Sequence, residues 1–293
     1  MIVGTFYDAN FVGHGFERAP SGTITMFDVH GATFGTFPSA INPAGTITGF
    51  YCDERTCHGF VHVRNGSVTS FDAPGAAFVT SPTSINPMGA ITGSYNDTNS
   101  VGHGFLRAPD GTFVTFDPPG AVNGTNPSAI NPAGVIAGSY TDASSVFHGF
   151  VRTPNGTITT FDAPGAGTGA AQGTGGSGIN EVGTYVDTNF VFHGFVRAPD
   201  GTITSFDAPG AGTSSTQGTL AAGINPAGTI VGYYKDASYM FHGFVRAPNG
   251  TIKSFDIPGA SQGLFALSVN PMGAITGYYT DANNANHGFV LIP

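Results

Sequence analysis

One motif that recurs along the chain limits its fold more than any other feature. The tripeptide His-Gly-Phe occurs seven times, with its histidines at His14, His58, His103, His148, His193, His242 and His287. Successive copies are 44, 45, 45, 45, 49 and 45 residues apart. A repeat of this length is typical of solenoids and propellers, in which each repeat is one supersecondary unit that packs against its neighbours. The sequence therefore predicts a repeat architecture.

Each repeat carries the signals of four short strands and two tight turns. In the third copy we predict strand A over 83–85, strand B over 90–95, strand C over 103–108 and strand D over 112–117. Asn-Pro-Met-Gly separates A from B and Pro-Asp-Gly separates C from D, and Pro and Gly are the residues that tight turns favour. No segment shows the 3.6-residue period of a helix. The predicted fold class is all-β.

The arrangement of these strands is predicted from their apolar faces. Strands B and C are apolar on both faces, which indicates small sheets covered on both sides. The D-to-A connection is long, as a path from the outer edge of one sheet to the inner edge of the next requires. We predict a single β-propeller domain over 1–293 with four-stranded antiparallel blades, an incomplete first repeat at 1–32 and an incomplete last repeat at 264–293. Seven blades use every residue, and six blades, closed by the strand at 23–28, are the alternative.

The charge of the chain excludes two classes of partner. Nine Lys and Arg against 18 Asp and Glu give a net charge of −9. Because no basic stripe is present, we expect neither nucleic acid nor an anionic membrane as a partner. No apolar run approaches the roughly 18 residues of a membrane span. The N-terminal Met-Ile-Val-Gly lacks the features of a signal peptide, so the sequence is expected to be a trimmed chain.

The only two cysteines, Cys52 and Cys57, flank one loop between strands B and C. Two antiparallel strand ends would bring them within bridging distance, and an oxidised pair would suit an extracellular or periplasmic protein. Two free thiols are the alternative, because two cysteines carry no framework pattern.

The repeat resembles a known family of sequence repeats. Gly-Ile-Asn-Glu-Val-Gly at 178–183, an apolar strand and then His-Gly-Phe at 193–195 are similar to the HAF-type repeats of extracellular bacterial proteins, with Gly in place of the usual Ala. The resemblance extends over nearly the whole chain. It implies a secreted propeller, and it transfers no catalytic residue, because that family has no agreed activity.

Polar residues concentrate on the face formed by the B–C and D–A loops. Strand B of each repeat ends in Tyr-x-Asp, or Phe-x-Asp at Phe6 and Asp8, and strand D ends in Phe-Asp. The candidate ligand-binding residues on this face are Tyr51, Asp53, Glu54, Arg55, Tyr95, Asp97, Tyr140, Asp142, Tyr185, Asp187, Tyr234, Lys235, Asp236, Tyr279 and Asp281. We predict no metal or other cofactor, although calcium is the cation that a ring of carboxylates would suit.

The seven repeated histidines are predicted to be structural. A catalytic group is needed once, whereas these residues recur in every repeat, and a His paired with an Asp satisfies polar groups at the edge of a sheet. The arginine of His-Gly-Phe-x-Arg, as in Arg107 and Arg197, also recurs and is therefore predicted to be structural. We expect it to stack on a neighbouring repeat or to pair with an Asp of that repeat. The second repeat departs from this pattern with His62 and Arg64.

Two functions from different classes are compatible with these residues. The first is a secreted or envelope binding or scaffold propeller, non-catalytic and multivalent for glycans or another cell-surface ligand. The alternative is a polysaccharide-active enzyme, a lyase or hydrolase, with one site at the channel mouth built from non-repeated residues such as Glu54, Glu181 and Lys235 with Tyr185. No Gly-x-Ser-x-Gly, His-Glu-x-x-His or phosphate loop is present, so the sequence identifies no reaction.

Overall fold

The computed structural model describes residues 1–64, 66–176 and 182–292, and every regular element in these ranges is a β-strand. The strands are β1 Ile2–Tyr7, β2 Gly13–Arg18, β3 Ile24–Phe27, β4 Gly35–Ile41, β5 Ile47–Cys52, β6 Cys57–His62, β7 Val68–Phe71, β8 Val79–Ile85, β9 Ile91–Asn96, β10 Gly102–Arg107, β11 Phe113–Phe116, β12 Gly124–Ile130, β13 Ile136–Thr141, β14 Phe147–Arg152, β15 Ile158–Phe161, β16 Gly173–Gly176, β17 Val182–Val186, β18 Phe192–Arg197, β19 Ile203–Phe206, β20 Gly218–Ile224, β21 Ile230–Lys235, β22 Phe241–Arg246, β23 Ile252–Phe255, β24 Gly263–Val269, β25 Ile275–Thr280 and β26 Asn286–Leu291. The all-β prediction is confirmed, and the described residues contain no helix that could cross a membrane.

Strands of one repeat pair in the order in which they follow along the chain. In the second repeat, β4 pairs with β5, β5 with β6 and β6 with β7, all antiparallel. The predicted strands B, C and D of the third repeat match β9, β10 and β11 to within one residue at either end. Strand A was predicted too short, because β8 begins at Val79 rather than at Thr83.

At several junctions between the described strands, neighbouring repeats are joined by one parallel bridge. In this contact the start of one strand C pairs with the start of the next strand A, as Phe192 does with Gly218. Gly218 has a φ of +115°, and a Cβ added to it would collide with the carbonyl oxygen of Phe192. Glycine occupies the same place at Gly35, Gly124, Gly173 and Gly263, whereas Val79 pairs with Cys57 at the junction after the second repeat.

The strands group into two compact units, each with its own core. The first contains residues 1–140 and 151–159, and one of its core clusters packs the buried Phe105, Ile91 and Tyr95 together. The second contains residues 141–150 and 160–293, and one of its clusters is formed around Phe244, Ile230 and Val182.

Each residue of the His-Gly-Phe motif has a separate packing role. In the fifth copy, the Phe195 ring is fully buried. Gly194 lies beneath the Phe206 ring of strand D, so that an added Cβ would be 2.6 Å from that ring. The glycine therefore leaves room for an aromatic ring on the neighbouring strand, and an alanine would push that ring outwards.

The arginine that follows the motif joins neighbouring repeats. The Arg107 guanidinium lies 4.8 Å from the ring centre of Phe71, and that of Arg197 lies 5.0 Å from the ring centre of Phe161. In the second repeat, where His62 replaces the arginine, its ring lies 4.6 Å from that of Phe27. The prediction that these arginines stack on a neighbouring repeat is confirmed for Arg107 and Arg197. Their partner is a Phe ring rather than an Asp, because the planar guanidinium can cover an aromatic face.

The Asn-Pro turns form a hydrogen-bonded series that the sequence analysis missed. Asn86 Oδ1 accepts the Ala90 N–H and closes its own turn. Its Nδ2 donates to the carbonyl oxygen of Asn131 in the next repeat, as Asn42 does to Asn86. These amides are mostly buried, so each Asn links its repeat to the following one.

We predict that Gly218→Ala destabilises the protein more than Gly31→Ala does. Gly31 also has a positive φ, of +92°, but open space surrounds it. The Gly31→Ala change should therefore lower the free energy of unfolding by about 1 kcal/mol, because alanine disfavours a positive φ. The Gly218→Ala change adds a collision with Phe192 and should lower it by about 2 kcal/mol more. Urea unfolding of both variants checks this, and equal losses would contradict the close junction.

Candidate functional site

Six of the seven repeated histidines lie between two aspartates from different segments. His193 Nδ1 donates to Asp207 Oδ1 at 3.0 Å, and its Nε2 is 3.7 Å from Asp187 Oδ2. The same arrangement joins His14 to Asp8 and Asp28, His58 to Asp53 and Asp72, His103 to Asp97 and Asp117, His148 to Asp142 and Asp162, and His242 to Asp236 and Asp256. His287 meets Asp281 through Nε2 at 3.0 Å.

The aspartates of the B–C loops, which we call the loop carboxylates, are committed to the backbone. Asp97 Oδ1 accepts the N–H groups of Asn99 and Val101, at 2.8 and 2.9 Å. These bonds close a turn in which Ser100 has a φ of +62°. They also lower the pKa of Asp97, with the bond from Val101 as the largest cause. In the second repeat, N–H groups of Arg55 and Thr56 lower the pKa of Asp53 to about 2.

The aspartates that end strand D, which we call the outer carboxylates, are the more accessible set. They are Asp28, Asp72, Asp117, Asp162, Asp207 and Asp256. The Asp207 side chain is 52% exposed, against 21% for the loop carboxylate Asp187. Thr219 Oγ1 accepts the N–H of the residue after Asp207 and fixes the chain there. The candidate list favoured the loop carboxylates, although the recurrence of Phe-Asp was a signal for the outer set.

The predicted tyrosines contact the histidines instead of facing solvent. Tyr95, Tyr140, Tyr185 and Tyr234 are buried. Tyr185 lies opposite His193 in the strand register, and their rings stack at 4.9 Å between centres. Tyr51 and Tyr279 are partly exposed and lie against His58 and His287 in the same way. Because register brings the two rings together, the tyrosines hold the histidines in place and leave little ring surface for a ligand.

The candidate residues that do not recur in every repeat are not gathered into one site in the described part of the chain. The Lys235 amine is 4.9 Å from the ring centre of Phe241, which is a cation–π contact within its own repeat. Glu54 and Arg55 are exposed and line a shallow cleft with Thr33 and Asp53. Glu181 lies outside the described residues.

The second repeat differs from the others around its histidine. Cys52 and Cys57 form a disulfide, so the oxidised alternative holds. Thr56 Oγ1 lies 2.8 Å from His58 Nε2, and His58 Nδ1 lies 2.9 Å from Asp72 Oδ1. Beside them is a cavity of about 100 Å³ lined by Thr56, Cys57, His58, Asp72, Ala76, Ala77, Phe78 and Val79. Thr56 was not among the candidates, although it is a hydroxyl two residues before a repeated histidine.

The carboxylates and imidazoles of this face belong to the residue types that bind metal ions. In residues 1–64, 66–176 and 182–292, no three His, Cys, Asp or Glu side chains are grouped as a metal ion would require. The imidazole and carboxylate groups of each repeat bind one another instead.

Comparison with known proteins establishes the fold and leaves the function open. No protein-family profile matches the chain, and no curated protein sequence is significantly similar to it. Virginiamycin B lyase from Staphylococcus aureus is similar over 99% of this chain and 94% of its own, with 14% identity and a TM-score of 0.60. A catalytically inactive histidine-to-alanine variant of that lyase, with quinupristin, matches over 99% and 96%, with 15% identity and a TM-score of 0.62. AofleA from Arthrobotrys oligospora matches over 86% and 81%, with 13% identity and a TM-score of 0.51. The chain therefore has a β-propeller type of fold.

We predict that His148→Ala lowers the stability by about 1 kcal/mol, the net worth of one hydrogen bond. The loss stays small because Asp162, its partner at 2.9 Å, is 55% exposed and can bind water instead. Asp142→Ala should lower the melting temperature further, since Ser144 and Val146 N–H groups lose their acceptor. Asp142→Asn is the matched control, because its Oδ1 still accepts both. Thermal unfolding of the three variants measures the order of their melting temperatures. An Asp142→Ala variant with an unchanged melting temperature would contradict the role of Asp142 in closing the loop.

Stability should also depend on pH through the His–Asp pairs. The hydrogen bond to Asp28 raises the pKa of His14. Burial lowers the pKa of His103, but the hydrogen bonds and charges of Asp117 and Asp97 outweigh it and raise that pKa overall. A raised histidine pKa stabilises the fold below about pH 6.5, and this gain is lost as the pH rises through the folded-state pKa. The lowered aspartate pKa values stabilise it above about pH 4, and this gain is lost on further acidification.

We therefore expect the highest melting temperature between about pH 4 and 6.5. Thermal unfolding from pH 3 to 9 measures it, and the double variant H14N/H103N should show a smaller decline on the alkaline side. Burial lowers the pKa of His62, so this residue changes the stability with pH in the opposite direction. His62 is present both in the natural sequence and in the double variant, so it does not affect their comparison. A melting temperature that keeps rising from pH 6 to 8 in the natural sequence would contradict this.

Proposed function

We propose that this chain is a non-catalytic binding module, a seven-bladed propeller with four-stranded blades that takes polyhydroxylated ligands such as cell-surface glycans. The observation that carries the proposal is the recurrence of one outer carboxylate, bound to a histidine, at the same place in successive repeats. Near-equivalent sites on one chain give avidity even when each is weak.

The outer carboxylates have the chemistry that a hydroxyl-rich ligand needs. A carboxylate offers about four acceptor positions, and the single Nδ1–H of His193, which lies 3.0 and 3.1 Å from the two oxygens of Asp207, does not occupy all of them. Because the Asp207 side chain is 52% exposed, the remaining positions can accept hydrogen bonds from sugar hydroxyls. Exposed aromatic residues near these loops, Phe34, Phe78, Phe190 and Tyr239, offer surfaces for the apolar face of a sugar ring. The net charge of −9 argues against an anionic polymer as the ligand.

An extracellular or periplasmic location is part of the proposal. It is supported by the Cys52–Cys57 disulfide, since disulfides persist in oxidising compartments. The resemblance to HAF-type repeats of extracellular bacterial proteins points the same way. Calcium is not required by this proposal, because the carboxylates already have hydrogen-bond partners in the protein.

The binding module is favoured over a polysaccharide lyase or hydrolase at the channel mouth. That alternative used Tyr185 and Lys235 as reactive groups together with Glu54 and Glu181. Tyr185 is buried against His193, and the Lys235 amine faces the Phe241 ring. Likeness to a lyase supports the fold alone, because the sequence identity is 14%.

We predict that Asp207→Asn removes about one ligand site and leaves the others unchanged. A glycan array would identify an oligosaccharide, and calorimetry with it would give the number of sites and the Kd. Because each site uses its own carboxylate, the stoichiometry should fall by about one while the Kd per remaining site stays constant. Asp200→Asn is the control, since Asp200 caps the turn before strand β19 and Asp207 follows that strand.

Two results would contradict the binding proposal. One is that no glycan on the array binds saturably. The other is a single site per chain that Asp207→Asn leaves intact and that a substitution at Glu54 or Lys235 abolishes, which would favour the enzyme.

A further inference from the structure

The second repeat carries a hydroxyl group where the other repeats have none. Thr56 stands two residues before His58, and the residues at this position in the other copies are Val12, Val101, Val146, Val191, Met240 and Ala285. Its loop is also one residue shorter and is closed by the Cys52–Cys57 disulfide. The exchange of a methyl group for a hydroxyl changes what the recurring His–Asp pair can do.

The three side chains are joined in the order of nucleophile, base and orienting acid. The Asp72 carboxylate accepts the Nδ1–H of His58 at 2.9 Å, which leaves Nε2 as an acceptor. The Thr56 hydroxyl lies 2.8 Å from that Nε2 and can donate to it. Its contact with Asp53 Oδ1 is longer, at 3.3 Å. This geometry lets a histidine remove the proton of a hydroxyl nucleophile.

A cavity beside the hydroxyl provides room for a substrate. The cavity volume of about 100 Å³ is large enough to hold several water molecules. Ala76, Ala77, Phe78 and Val79 form its apolar wall, and Val79 stands where neighbouring repeats have a glycine at their junction. A small apolar cavity next to a nucleophile fits a short acyl chain better than a sugar ring.

We propose that Thr56, His58 and Asp72 form a catalytic site that hydrolyses esters of short-chain carboxylic acids. Thr56 Oγ attacks the ester carbonyl carbon while His58 Nε2 takes the hydroxyl proton, and Asp72 holds the resulting imidazolium. The carbon–oxygen bond to the alcohol then breaks, and His58 returns the proton to the leaving oxygen. Water attacks the acyl-Thr56 ester with His58 again as base, which releases the acid and restores the hydroxyl.

This activity goes beyond the proposed binding function, because it uses the Thr56 hydroxyl and one cavity that the other repeats lack, and it shares only Asp72 with the outer carboxylates. The test uses p-nitrophenyl acetate and p-nitrophenyl decanoate as probes, with release of p-nitrophenol and peptide mapping of the trapped protein as readouts. We expect turnover of the acetate, an acetyl group on the peptide that contains Thr56, and at least 10-fold slower turnover of the decanoate, since its chain exceeds the cavity.

Variants separate a nucleophile from a merely structural threonine. Thr56→Val introduces the residue that four other repeats have, so the fold should persist, and acetylation should disappear while turnover falls at least 100-fold. Thr56→Ser keeps the hydroxyl and should retain turnover, whereas Asp72→Asn should lower kcat with little change in KM. His103→Ala is the matched control, because His103 also binds an Asp but has Val101 in place of the hydroxyl. Unchanged turnover in Thr56→Val, no acetyl group on Thr56, or an equal loss in His103→Ala would overturn the proposal.

Discussion

The hydrogen bond between a strand-C histidine and the aspartate that ends strand D organises the loop face of six repeats. It places the end of strand D against the start of strand C, and the second ring nitrogen faces the aspartate that closes the B–C loop. A stacked tyrosine holds the ring from one side. Polar contacts thereby fix three segments of chain to one another at their ends, beside the apolar clusters of the core.

The same arrangement explains why the two proposals concern the outer carboxylates and one altered repeat. In the regular repeats one oxygen of the loop carboxylate accepts backbone N–H groups, and the outer carboxylate is the more exposed of the two. In the second repeat, a hydroxyl at Thr56 and a valine at Val79 change the surroundings of an otherwise ordinary His–Asp pair. A reactive group can therefore arise from a structural one by two local substitutions.

Much of this fold follows from the spacing of Gly, Pro and β-branched residues. Turns such as Asn86 to Gly89 are local, so their positions and the strands after them could be predicted from sequence. The burial of Tyr185 could not, because it depends on which residue of strand C lies opposite in register. Thr56 was missed for a related reason, since its bond to His58 arises only when a short loop turns the hydroxyl towards the ring.

The series of Asn side chains that bind the next repeat has a consequence for how such a chain can change in length. Each bond runs from one repeat to the same atom of its successor, as from Asn42 to Asn86 and from Asn86 to Asn131. Loss or duplication of a whole repeat in the gene would leave an identical donor facing an identical acceptor. The Asn42 and Asn86 bonds span 44 and 45 residues, so the series also tolerates a small change of loop length within a repeat. Changes in the number of repeats can therefore preserve the contact by which each turn holds the next.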